Sequence, residues 1–274
     1  MASPPHLTAD EKHSWWWGER IYIAVTAALG CFLGVGIAAS ADAEALSQAY
    51  REFQQEALQL NPNYAPESVN TDGWEGSQTA WKTLFPGISL ILCFLHAVLG
   101  IQKCCRRMGK VFQTVTDKLW HLYYSLNPRQ FAQRLRRLSE WANDAKTDLP
   151  DAVRQKLLRL KAKAPQFMVT FELPAAARTS NQVDRLMNYQ DRMLDAMQYF
   201  HGTLDAATQA LRAMAMLWTF HPYCRKVQAL EPHSMSPFED LNQFRYHDHW
   251  LRNLLIASSL NGRGTGRPFK HKLE

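Results

Sequence analysis

Between Arg20 and Asp42 the chain reads IYIAVTAALGCFLGVGIAASA (residues 21–41), twenty-one residues without a charge, and what they form decides the fold. The length suits one membrane-spanning helix, and Gly30-x-x-x-Gly34 is a spacing that packs such helices together. The same residues also read as two buried strands, Arg20–Thr26 and Cys31–Ala38, joined by a tight turn at Leu29-Gly30. Buried strands are continuously apolar, and β-branched and aromatic residues recur here among small ones. In that case Gly30, Gly34 and Gly36 are turn and packing residues. A second uncharged stretch, Thr83–Gln102, is interrupted by Pro86-Gly87 and contains His96. It is either a second span, followed by the basic flank Lys103–Lys110, or one buried strand, Ile88–Leu95, passing into a helix from His96. Periodicity alone does not choose between two spans and an α/β sheet.

The flanking sequence favours the sheet. Asp42–Gln59 has apolar residues at helical spacing, and the run Asn61-Pro62-Asn63-Tyr64-Ala65-Pro66 ends it. A short extended segment, Glu67–Asn70, leads into Thr71-Asp72-Gly73-Trp74, and Ser77–Leu84 reads as a short helix. With a first strand ending near Asp10, the order is three strands, helix, strand, helix, strand. That order predicts an α/β layered sheet with an antiparallel hairpin at one side. From Lys103 to about Lys163 the pattern turns helical and basic. Val111–Ser125, Pro128–Lys146 and Pro150–Lys163 each carry apolar residues on one face and Arg or Lys on the other, with Pro128 and Pro150 at first-turn positions. A segment containing Phe171-Glu172-Leu173-Pro174 returns the chain to Arg178-Thr179-Ser180-Asn181. Long helices are expected over 182–202 and 203–218, a last amphipathic segment over 238–260, and a frayed end beyond Gly262.

Composition sets the outer bounds. With 46% hydrophobic residues and nine Trp, the chain can bury a core. Its net charge of +6 is uneven: residues 102–165 hold 15 Lys/Arg against 5 Asp/Glu. Such a segment suits a polyanion, because clustered cations release the counterions condensed on phosphates; the plain alternative is a set of solvated helix faces. Five cysteines, Cys31, Cys93, Cys104, Cys105 and Cys224, form no Cys-x-x-Cys, so neither a disulfide framework nor a structural zinc site is indicated, and a reducing cytoplasm is expected. No signal peptide precedes the Trp15-Trp16-Trp17 cluster. There is no Gly-rich phosphate loop and no Gly-x-Ser-x-Gly elbow.

Three acids stand at element ends: Asp10 before the apolar hairpin, Asp72 after a short strand, and Asp184 at a helix start. Each alone has an ordinary explanation. Asp72-Gly73 is common turn chemistry, Asn181-x-x-Asp184 has the spacing of a capping box, and Asp10 could be a surface acid. Cys93-x-x-His96 and His247-Asp248-His249 could ligate metal, but they are better read as packing and surface groups.

Taken in order, these features resemble the catalytic core of DDE transposases, in particular the Mutator-like and bacterial insertion-sequence families. The resemblance covers roughly residues 7–260 and rests on Asp10, the hairpin RIYIAVTAALGCFLGVGIAA, VNTDGW around Asp72, Cys93-Phe94-Leu95-His96, a helical insertion, and Thr179-Ser180-Asn181-Gln182-Val183-Asp184. It implies an RNase H-like mixed sheet with flanking helices and an all-α insertion before the third acid. The implied organisation is 1–101 for the first part of the core, 102–170 for the basic insertion, 171–260 for the rest of the core and the C-terminal helices, and 261–274 for a disordered tail. It further implies DNA cleavage and strand transfer by Asp10, Asp72 and Asp184 with Mg²⁺ or Mn²⁺, supported by Cys93, His96, Arg178 and Asn181. Lys103, Arg106, Arg107, Lys110, Arg134, Arg136 and Arg137 would meet phosphates. The partners implied are transposon ends and target DNA, in a dimer or larger assembly at the nucleoid, away from membranes. Asp184 stands where Glu is usual, which leaves Glu172, Asp191 and Asp195 as rivals. Only nine residues precede Asp10, where those families place a DNA-end-binding domain, so the chain reads as a shortened copy.

Overall fold

The uncharged stretch forms strands. In the computed structural model, which describes residues 3–144, 146–230 and 235–260 and the backbone of 267–268, β1 (His6–Trp16), β2 (Glu19–Ala28) and β3 (Cys31–Ala38) make an antiparallel meander. Both turns are two-residue turns with positive φ, Trp17-Gly18 (50° and 81°) and Leu29-Gly30 (50° and 75°), the geometry that matches strand twist. One continuous helix over Ile21–Ala41 is therefore overturned. No helix among the described residues is long and apolar enough to cross a membrane.

β1 does not end near Asp10. It pairs with β2 from Thr8↔Ala27 to Trp16↔Glu19. Its residues beyond Asp10 alternate, with Asp10, Lys12 and Ser14 on one side and Glu11, His13 and Trp15 on the other.

α1 (Ala43–Leu60) starts at Asp42, whose carboxylate accepts from the backbone N–H of Glu44 and Ala45. It lies on β3 so closely that a Cβ at Gly36 would stand 2.4 Å from the Ala49 carbonyl oxygen. The remaining elements follow in order: β4 (Ser68–Thr71), α2 (Glu75–Leu84), β5 (Ser89–Leu92), α3 (Phe94–Cys105), α4 (Gly109–Tyr123), α5 (Pro128–Asn143), α6 (Asp151–Ala162) and α7 (Ala164–Glu172). Then come α8 (Asn181–Ala196), α9 (Leu204–Phe220), α10 (Arg225–Leu230), α11 (Pro237–Asn242), β6 (Phe244–Arg245), α12 (Trp250–Ser259) and β7 (Arg267–Pro268). The fold is α/β, with one five-stranded sheet in the order β3-β2-β1-β4-β5 and a small β6–β7 pair.

The chain divides into two compact units: residues 1–69, 74–88 and 181–274 form one, and 70–73 with 89–180 the other. In the first, α1 covers one face of the hairpin, and Tyr50 and Phe53 meet Trp81 of α2 and Phe85 just after it. On the other face Ile21, Ile23, Val25 and Ala27 pack with Val183, Leu186 and Leu194 of α8 and Leu211 and Met214 of α9. α8 stops well short of residue 202, because Gln198 and Tyr199 take positive φ (55° and 67°), and Thr203 caps the next helix. The amphipathic segment over 238–260 breaks into α11, β6 and α12, turned at Gln243 (φ 57°). The frayed end, 261–274, lies outside the described residues except for the pairing of Arg267–Pro268 with β6.

In the second unit, Phe94, Val98 and Ile101 of α3 share one core with Leu119, Leu135, Leu157 and Phe167. The apolar face of α3 therefore joins the basic helices in one unit, 70–73 with 89–180. The strand expected over Ile88–Leu95 is cut to Ser89–Leu92, and Phe171-Glu172 ends a helix, α7.

Candidate metal centre

Strand alternation aims Asp10 and Lys12 at α8. Asp10 is 6% exposed, among Val25 and Ile23 of the neighbouring strand. A carboxylate so buried must be matched by donors or a cation. Its Oδ1 accepts from the Glu11 backbone N–H at 2.9 Å. The first turn of α8 supplies Asp184, and the two residues belong to a group whose ligand atoms lie within 4.8 Å of one another and could hold a metal ion. Two carboxylates at that separation repel when both are ionised, and a hard divalent cation between them turns the repulsion into attraction.

The other acids of α8 are differently engaged. Asp191 is ion-paired with Lys12, whose Nζ also lies 3.3 Å from the Met187 carbonyl. Lys12 thus ties the strand that bears Asp10 to the helix that bears Asp184. Burial pushes Lys12 down to about 8, with Asp195 opposing. Asp195 accepts from the Tyr199 hydroxyl at 3.0 Å. On the far side of β1, Glu11 accepts from the Tyr50 hydroxyl. Burial first, and then the Glu11 charge, hold that phenol far above its ordinary range, so it remains a donor. Neither Lys12 nor Tyr50 was marked by sequence reasoning, because each acts on a residue far away in the chain.

The second unit holds Asp72 just after β4, exposed, and His96 in the first turn of α3. Cys93 is buried there, and its backbone N–H donates to the Thr71 carbonyl at 2.8 Å. Ser180 donates to Cys93 Sγ from both N–H and hydroxyl at 3.2 Å, and its Oγ lies 3.2 Å from His96 Nδ1. Burial works to raise the Cys93 thiol, but hydrogen bonds involving His96 and Ser180 outweigh it and hold the thiol below its usual range. The Cys-x-x-His pair is thus a hydrogen-bonded node that fixes the His96 ring. Ser180, the middle residue of Thr-Ser-Asn, is its unforeseen third member.

Arg178 is a brace. Its guanidinium donates to the Tyr123 and Ser125 carbonyls at 3.2 and 3.3 Å and stacks on Phe171. Asn181 opens α8, exposed. Glu172 ends α7 in the second unit. His247 accepts from the His249 backbone N–H, and Asp248 pairs with Arg245. Among the described residues no grouping that could hold a metal includes either histidine.

Of the basic residues, Lys103, Arg106, Arg107 and Lys110 are exposed around the α3–α4 junction, as is Arg137 on α5. Arg136 is exposed beside Glu140 at 3.4 Å. Arg134 instead donates to the His121 carbonyl and the Ser125 hydroxyl, so its charge is spent inside the unit.

No protein-family model matches this chain. No curated protein matches it either.

Proposed function

We propose that this chain is a DNA strand-cleaving and strand-transferring enzyme of the DDE transposase kind, with an RNase H-like core that holds two Mg²⁺ or Mn²⁺ ions on Asp10, Asp72 and Asp184. The observation that carries this reading is that Asp10, buried in a central strand, and Asp184, at the far end of the sequence order, share one group of ligand atoms within 4.8 Å. The order of elements supports it: hairpin after the first acid, β4 on the other side of β1, then a helical segment before the third acid.

In this reading Asp10, Asp72 and Asp184 would hold the ions through their carboxylate oxygens. When bound, the ions would supply the Lewis acidity that makes water, and then a freed 3′-hydroxyl, a nucleophile while stabilising the leaving oxygen. The carboxylates provide the oxygen ligands such hard cations want. Lys12 holds α8 against β1, and Tyr50 fixes the strand from the opposite face. Lys103, Arg106, Arg107, Lys110 and Arg137 would meet backbone phosphates, giving affinity without sequence choice. Transposon ends and target DNA are the substrates, worked on by a dimer or larger assembly.

Calorimetric titration of Mn²⁺ tests the ligand set without any need for activity. Wild type should bind with Asp10→Asn, Asp72→Asn and Asp184→Asn each weakening it at least about tenfold, the usual loss when a metal site's coordinating shell is disturbed. Unchanged binding in all three variants would sink the proposal.

A further inference from the structure

The β1–β2 turn carries an aromatic surface that the metal centre does not use. Trp17 is 66% exposed and Trp15 38% exposed. Trp17 takes φ 50°, a left-handed conformation that costs a bulky residue about 1–2 kcal/mol and that Gly or Asn adopts more readily. The ring is nevertheless held in place. Its indole N–H donates to the Gly202 carbonyl at 2.8 Å, the same oxygen that takes the Trp16 indole N–H at 2.9 Å. The His201 ring meets Trp17 edge-on with centroids 6.0 Å apart. With its one polar group satisfied inside the protein, Trp17 offers solvent an ordered π-face.

A cation and an imidazole accompany it. Arg20, directly across the hairpin from Trp15, places its guanidinium 5.8 Å from that ring's centroid. His13, exposed, lies two residues before Trp15 on the same side, opposite Tyr22. Of the nearby acids, Glu11 is taken by Tyr50, and Glu19 pairs with Trp16 on the other side of the hairpin. Planar rings beside a guanidinium and an imidazole N–H match a ligand of flat bases joined by phosphates, since base–aromatic stacking supplies affinity and polar donors track the backbone.

We propose that the β1–β2 turn is a binding platform for unpaired DNA bases, which stack on Trp17 and Trp15 while Arg20 and His13 face phosphates. The proposal deepens the DNA-processing reading above and rests on it. Asp10 and Trp16 lie six residues apart on one strand, about 20 Å at the usual rise, or about six nucleotides at the axial spacing of one duplex strand. The platform would therefore hold bases melted a short way from the reacting phosphate.

The test is fluorescence anisotropy on the whole chain in EDTA. It compares an oligothymidylate of about 15 nucleotides, an abasic strand of equal length and charge, and a duplex. The expected result is that the oligothymidylate binds at least about fivefold more tightly than the abasic strand, the gain from one stacked base. Trp17→Asn, which suits the turn, combined with Trp15→Thr should erase that preference, and Trp17→Tyr should keep most of it. Replacing Lys103, Arg106 and Arg107 by Ala should weaken both strands alike and leave the ratio intact. Equal binding of the thymidylate and abasic strands by wild type, or a preference that survives Trp17→Asn with Trp15→Thr, overturns the platform alone. No binding to any strand overturns the DNA-processing reading with it.

Discussion

Gly36→Ala tests whether the uncharged stretch is a strand under α1. A Cβ at this position would stand 2.4 Å from the Ala49 carbonyl oxygen, 2.9 Å from its carbonyl carbon and 3.0 Å from its Cα. All three atoms belong to helix backbone, so no rotamer change relieves the clash, and α1 must move off the sheet. That shift would loosen Tyr50 and Phe53, both buried. Overpacking of this kind costs about 1–3 kcal/mol, a large share of a stability of about 5–15 kcal/mol. Gly30→Asn is the control, because nothing lies within 4 Å of a Cβ there and its φ of 75° suits Asn. Urea unfolding followed by circular dichroism should give a lower midpoint for Gly36→Ala and a nearly unchanged one for Gly30→Asn. A Gly36→Ala protein within about 0.5 kcal/mol of wild type would show that α1 does not rest on β3. The frame that places Asp10 would then be wrong.

Lys12→Met should leave the protein folded and lower its Tm by about 1–4 °C, because one partner of the pair, Asp191, is 51% exposed. It should also weaken Mn²⁺ binding several-fold by freeing α8, and the exchange Lys12→Asp with Asp191→Lys should restore part of both. Stability should fall above about pH 10. Burial raises the Tyr50 and Tyr64 phenols in the folded chain, so above that pH the unfolded chain sheds protons the folded one keeps. Tyr64→Phe should reduce the loss between pH 9 and 11 by about 1.4 kcal/mol in total, seen in urea midpoints. Iodoacetamide at pH 8 should alkylate exposed Cys224 readily. It should spare Cys31, whose thiol burial pushes up to about 12, until the chain is unfolded; mass spectrometry reads the order of modification.

What the sequence revealed and what it hid follow from the range of the interactions involved. The hairpin was legible because Leu29-Gly30 is a local turn signal, and Gly34 and Gly36 make sense only beneath a helix that the following residues announce. The length of β1 was hidden because Asp10–His13 looks like a solvated run until its alternation is paired with β2. Charge marks the surfaces of the basic helices, whereas the core they share with Phe94, Val98 and Ile101 leaves no charge signal. Asp184 stood out only through its place in a pattern, with Asp191 and Asp195 equal to it on the same helix. The Lys12–Asp191 ion pair separates them, and it joins residues far apart in the chain. The same holds for Ser180, whose contact with Cys93 spans most of the second unit, and for Arg134 and Arg178, basic residues whose partners are carbonyls inside the fold.

The most direct test of the two-metal account is nicking and strand transfer of duplex DNA in Mg²⁺ or Mn²⁺, comparing the wild-type chain with Asp72→Asn. Metal-dependent cleavage by wild type that vanishes in the variant, with DNA binding unchanged, is the predicted result; cleavage that persists without Asp72, or that needs no divalent cation, would contradict it.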